Sequence, residues 1–127
     1  MALMREADAG IFNLTPFRGI NADPGTAFEL GFFAALDKPV FAYSHHPAPL
    51  FDRVAAEFGA QPSSDGGHRD SAGLMIENFG NADNLMLDSA LRAQSRAVVR
   101  PDATLADPGA LEMFAACLRQ VRLHFGF

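Results

Sequence analysis

Two short apolar runs flank a single helix signal, and that arrangement limits the fold more than any other feature of the chain. "AGIFNL" (9–14) closes at Thr15-Pro16, and "PVFAYS" (39–44) follows a lysine. Apolar runs of this length bounded by turn formers read as buried strands. Between them lies "DPGTAFELGFFAAL" (23–36). Asp23 is a capping residue, Pro24 fits the first helical position, and good helix formers follow, so a helix is predicted to about Leu36. Strand, helix and strand in that order imply a βαβ unit with a parallel sheet.

The rest of the chain supplies helices to cover such a sheet. Met1 to Glu6 looks like the end of a helix. "APLFDRVAAEFGA" (48–60) is amphipathic and ends at Gly59, with Arg53 and Glu57 expected on a solvated face. "QPSSDGGHRDSAG" (61–73) is polar and glycine-rich and is expected to be a mobile loop. "ADNLMLDSALRAQ" (82–94) reads as a helix starting near Ala82 or Asp83, with Arg92 and Arg96 solvated. "AVV" (97–99) is an expected edge strand. The last helix is expected to open at Asp107-Pro108-Gly109 and to run to about Phe125.

Composition removes several functional classes. The 127 residues fit one domain, and 49% hydrophobic with 20% charged residues is ordinary for a globular protein. A net charge of −5 with scattered lysines and arginines argues against a nucleic-acid surface. The one cysteine, Cys117, excludes an internal disulfide framework and reads as a small core residue in a reducing, cytoplasmic setting. "MALMREADAG" lacks the apolar stretch of a signal peptide, and no run reaches the ~18 apolar residues of a membrane span. His45-His46 has no acidic or cysteine partner at ligand spacing and reads as a solvated turn, so no metal is expected. His124 is expected to cap the last carbonyls of the final helix. Phe12 or Phe17 could stack on a flat ligand.

One residue needs explaining. Glu29 sits among Phe28, Leu30, Phe32 and Phe33 on a helix expected to need cover on nearly every side, and a carboxylate is rarely buried without a partner or a role. Asp-Pro-Gly recurs at 107–109, so that tripeptide alone signifies a cap; the sequel, with Glu29, is what differs. Gly25 and Thr26 share the helix face of Glu29, and Gly25 leaves room for access. Asp23 caps the same helix at the carboxyl edge of the sheet, where open α/β folds bind ligands. Two carboxylates there suit attack on, and proton handling at, a glycosidic bond. Spacing alone leaves a second reading open, in which Asp23 is only a cap and Glu29 pairs with Arg18 or a backbone amide.

"ADAGIFNLTPFRGINADPGTAFELGFFAALDKPVFAY" (7–43), followed by "DNLML" (83–87), resembles the nucleoside 2-deoxyribosyltransferase family. The resemblance implies a flavodoxin-like or Rossmann-like α/β fold, a parallel sheet flanked by helices, in one domain spanning 1–127. It implies transfer of a 2-deoxyribosyl group between nucleobases without cofactor or metal. Glu29 would be the nucleophile, and Asp23 would hold the base and exchange its proton. Asn84 resembles an asparagine lent by a neighbouring subunit to the sugar hydroxyl, and Met86 would pack near the nucleophile. Asn13, Phe17 and Arg18 would line the loop against the base, with Gly25 beside it. The substrates implied are a 2′-deoxynucleoside and a free nucleobase, in a homodimer or larger homo-oligomer. A water-poor pocket around Glu29 would favour transfer over hydrolysis. The family pattern also has a strand, helix and strand ahead of the equivalent of Met1, which this sequence does not show. Hydrolysis of an N-glycosidic bond and non-catalytic nucleoside binding are the alternatives.

Overall fold

The computed structural model describes residues 1–105, 107 and 109–127. Helix α1 (Ala2–Glu6) leads into strand β1 (Gly10–Asn13), helix α2 (Pro24–Ala35) and strand β2 (Val40–Tyr43). β1 and β2 pair in parallel, Gly10 opposite Val40 through Asn13 opposite Tyr43, which is the βαβ unit the sequence dictates. Asp23 caps α2 by accepting a hydrogen bond from the Thr26 amide at 3.0 Å, and Pro24 occupies the first turn.

Helices cover both faces of the strands, and the alternation along β2 decides which residue meets which helix. Val40 and Ala42 join Phe12, Leu14, Leu30 and Phe33 in the main core, together with Leu87 and Leu91 of α4 (Leu85–Arg92). Phe41 and Tyr43 point to the other face, where α5 (Glu112–Phe125) lies. There Tyr43 meets Phe114 edge-on at 6.2 Å. Lys38 ties the end of α1 down by donating to the carbonyls of Arg5 and Ala7.

Several sequence expectations need correcting. The "AVV" strand contracts to a single parallel bridge between Tyr43 and Val99, held by Ser44 N–H to the Val99 carbonyl and Val99 N–H to the Ala42 carbonyl, both 2.9 Å. The expected loop at 61–73 belongs instead to a small antiparallel sheet that follows α3 (Leu50–Phe58): β3 (Gln61–Pro62), β4 (His68–Arg69) and β5 (Met75–Ile76). Arg69 organises it, bonding Ser63, the Gly73 carbonyl and Asp65. α4 starts later than expected, capped by Asn84 rather than by Ala82 or Asp83. α5 begins at Glu112, because Asp107 accepts from the Gly109 amide in a turn of its own. Pro108 of the expected opening lies outside the described residues.

His124 does not cap carbonyls. Its Nδ1 meets an Arg96 nitrogen at 3.0 Å, while Gly126 in the left-handed region closes α5. Arg96 is correspondingly half-buried over the Phe41 ring, 4.2 Å from its centroid, rather than solvated. Phe12 is not available for stacking on a ligand, since it is buried edge-on against Phe33. α2 is also not enclosed: only Leu30 and Phe33 are buried, and Phe28 is 59% exposed.

Two predictions come from this packing. A Cβ at Gly10 would collide with the Phe12 ring and press on Phe33, so Gly10→Ala is expected to lower unfolding free energy in urea by about 1–3 kcal/mol. An unchanged midpoint would mean that the Phe12 ring is not fixed there. Burial pushes the Cys117 thiol up to about 11. Its raised value means the fold prefers the protonated thiol, so this contribution is intact below pH ~9 and is lost as pH climbs towards the folded value. Ellman's reagent at pH 8 should therefore modify Cys117 only after denaturation, and rapid labelling of the native chain would contradict the assignment.

Candidate active site

The loop from β1 to α2 and the segment after β2 meet at the carboxyl edge of the parallel strands. They enclose a cleft of about 400 Å³ lined by Asn13, Thr15, Pro16, Phe17, Asp23, Thr26, His45 and Leu105. Its walls are fixed from within. Asn13 Oδ1 accepts from both the amide and the hydroxyl of Thr15, and the His45 amide donates to that same hydroxyl oxygen at 3.0 Å. The Leu105 amide donates to the His45 carbonyl at 3.2 Å and holds the outer rim in place.

Asp23 enters the cleft as the cap of α2, so its position follows from helix geometry. Gly25 serves that placement: a Cβ there would lie 2.9 Å from Asp23 Oδ2. Phe17 is 52% exposed at the mouth of the cleft. Arg18 adopts a positive φ of 54° and lays its guanidinium over the Phe17 ring, 5.3 Å from the centroid. Arg18 lies outside the lining.

Glu29 is not where the sequence reading expected it. It is exposed on α2 and does not line the cleft. The cause is the open face of the helix: with only Leu30 and Phe33 turned inward, the neighbouring positions face outward. Among the described residues the ion pairs are Arg53–Asp83 and Arg69–Asp65, so Glu29 is not locked to Arg18. Asn84 and Met86 stand on a different part of the same chain. Asn84 Oδ1 accepts from the Met86 amide as the cap of α4, and Met86 is 73% exposed. Asn84 lines a separate depression with Ile20, Asn21 and Glu77. One copy of the chain thus brings together Asp23, Asn13 and Phe17, and leaves Glu29, Asn84 and Met86 on its open surface.

A buried polar clasp, not anticipated from the sequence, fixes the loop that carries Asp23. Asp83, 2% exposed, accepts from Asn21 Nδ2 (3.1 Å), the Ala22 amide (2.9 Å), the Asn84 amide (2.8 Å) and an Arg53 nitrogen (3.2 Å). Arg53 is buried, not solvated, and also donates to the carbonyls of Ile20 and Ala48. Burial lowers the Arg53 guanidinium from its ordinary value, opposed by the Asp83 charge. Asp88 extends the network by accepting from the amides of Ala82 and Asp83. The available signal was spacing: Arg53 lies three residues after Leu50, on the inward face of α3. His45 was also misassigned as part of a solvated turn. It lies in the bend that follows β2, but its ring is 5.5 Å from that of Tyr43 and it is only 5% exposed.

Comparison with known proteins places this geometry. A family model described as nucleoside 2-deoxyribosyltransferase matches residues 1–86. An uncharacterized protein of Schizosaccharomyces pombe is 31% identical over 102 residues, covering 71% of this chain and 48% of that protein. A 2-desoxiribosyltransferase from Leishmania mexicana superposes with a TM-score of 0.64 at 32% identity, covering 97% of this chain and 63% of that structure. The chain therefore spans about half to two thirds of the length of these relatives.

Removing the carboxylate of the clasp would leave Arg53 as a buried charge without its counterion. Asp83→Ala is expected to cost about 3–5 kcal/mol in urea unfolding, against less than about 0.5 for the exposed control Glu57→Ala. Equal effects at the two sites would show that the clasp does not hold the loop.

Proposed function

The chain belongs to the nucleoside 2-deoxyribosyltransferase family, and on that premise we propose that it transfers a 2-deoxyribosyl group between nucleobases through a covalent intermediate on Glu29. The observation that carries the reading is the relation between the two carboxylates. Asp23 lines a cleft with ample room for a nucleobase, and Glu29 follows six residues along the same helix. Six residues of helix rise about 9 Å along the axis, comparable to the length of a nucleoside, which on this reading lies with its base towards Asp23 and its sugar towards Glu29.

In this mechanism a Glu29 carboxylate oxygen attacks C1′, and the N-glycosidic bond breaks with its electron pair going to the base nitrogen. Asp23 delivers a proton to the departing base. The incoming base then attacks C1′, the bond to Glu29 breaks, and Asp23 recovers the proton from the new glycosidic nitrogen. No cofactor or metal takes part. Asn13 and Phe17 line the base end, and Arg18 holds Phe17 from outside. The exposed Glu29 requires cover, and a second copy of the chain supplies it: its Asn84 reaches the sugar hydroxyl and its Met86 packs near the nucleophile. The working unit is then a homodimer or larger homo-oligomer, and the reaction belongs to cytoplasmic nucleoside salvage.

A second reading, hydrolysis, draws on one specific observation. Glu29 is exposed in the single chain, and water reaching an intermediate there would release free deoxyribose. Incubation with 2′-deoxyinosine and adenine, followed by chromatography, separates the two. The proposal expects 2′-deoxyadenosine and its loss by at least ~10³-fold in Glu29→Ala, as for removal of a nucleophile. Hypoxanthine without 2′-deoxyadenosine would favour the hydrolase, and turnover unchanged in Glu29→Ala would overturn the nucleophile.

A further inference from the structure

We infer that His45 is a base-contacting residue of the cleft, its ring nitrogen completing a hydrogen bond to the edge of a bound nucleobase. The inference rests on the proposed reading of the cleft as a nucleobase site. His45 lines that cleft with Asp23, is 5% exposed, and its Nε2 is buried without a hydrogen-bond partner. An orphaned buried nitrogen costs stability in the free chain, and such atoms call for an explanation.

The neighbourhood shows that this orphan is specific. His46, the next residue, has its Nδ1 accept from the Ala48 amide at 3.1 Å. Ser44 Oγ accepts from the His46 amide, also at 3.1 Å. The polar groups around His45 are thus committed to the local fold, and its own main chain is pinned at both ends by Thr15 and Leu105. Tyr43 supports the ring from the sheet side. The soft coordinate left is rotation about the Cβ–Cγ bond, a broad torsion in histidine, which moves the nitrogen relative to the cleft that the ring lines. An imidazole nitrogen donates or accepts according to tautomer, so it can match a ring nitrogen, a carbonyl or an exocyclic amine of a base. Asp23 and His45 would then hold the same base from two sides, the helix cap and the bend that follows β2.

The test uses the full chain uniformly labelled with ¹⁵N, titrated separately with adenine, hypoxanthine, thymine and cytosine. Among the four histidines, the His45 signals are assigned by their loss in His45→Gln. At least one base should shift the His45 ring nitrogens while those of His68 and His124 stay in place. His45→Phe should weaken that base about tenfold, the effect of one lost hydrogen bond, with His45→Gln retaining affinity within about threefold. If bases perturb the Phe17 and Thr26 amides but leave the His45 nitrogens unmoved, the role of His45 is overturned and the cleft reading stands. If neither bases nor 2′-deoxyinosine perturb any residue of the cleft, the reading of the cleft falls and the role of His45 with it.

Discussion

Everything at the carboxyl edge of the sheet depends on one buried ion pair. Arg53 and Asp83 meet at 3.2 Å with both side chains almost fully shielded from water. A pair so buried is worth little as an attraction, since desolvating both ions offsets most of the gain. Its value here is positional. Asp83 accepts from Asn21 and Ala22, the residues just before Asp23, and Arg53 holds the Ile20 carbonyl of the same loop. The clasp thereby joins α3, the start of α4 and the loop entering α2. A loop rich in turn formers is held in one conformation, and the cap of α2 is delivered to the cleft.

The second organising fact is how differently the first turn of α2 and its middle are treated. Its first turn is overdetermined: the Asp23 cap, Pro24, a Gly25 that leaves the carboxylate room, and the Asn13–Thr15–His45 bonds beyond it. Further along, Phe28 and Glu29 face outward with Met86 of α4 likewise exposed. Large exposed apolar side chains on adjoining helices mark a surface suited to association. On the proposed function this is the sugar end of the site, where cover from a second copy would exclude water and complete what the base end already has.

Much of this was legible in the residues, for reasons that can be named. The βαβ unit was readable because its signals are local: two bounded apolar runs, and an Asp-Pro-Gly cap whose effect depends on three consecutive residues. The family motif pointed to the Asp23 loop for the same reason. What the sequence concealed was tertiary. Arg53 and Asp83 are thirty residues apart, and each alone reads as a solvated charge or a simple helix start. The polar stretch at 61–73 contributes two short strands and ordered turns because Arg69 gathers three partners from across it, a convergence that no hydropathy pattern records. His45 was hidden by its neighbour, since paired histidines suggest a solvated turn while the bend after β2 in fact buries the first of the two. The burial of Glu29 was inferred from neighbours in sequence, but a helix with two buried positions leaves the others to solvent.

The central claim is that Glu29, though open to solvent in the single chain, carries the sugar during transfer. Rapid quenching of the chain with 2′-deoxyinosine in the absence of an acceptor base, followed by proteolysis and mass spectrometry, tests it most directly. The account predicts a 2-deoxyribosyl adduct on the peptide containing Glu29, discharged when adenine is added before the quench. An adduct on another residue, or turnover with none trapped at any quench time, would contradict it.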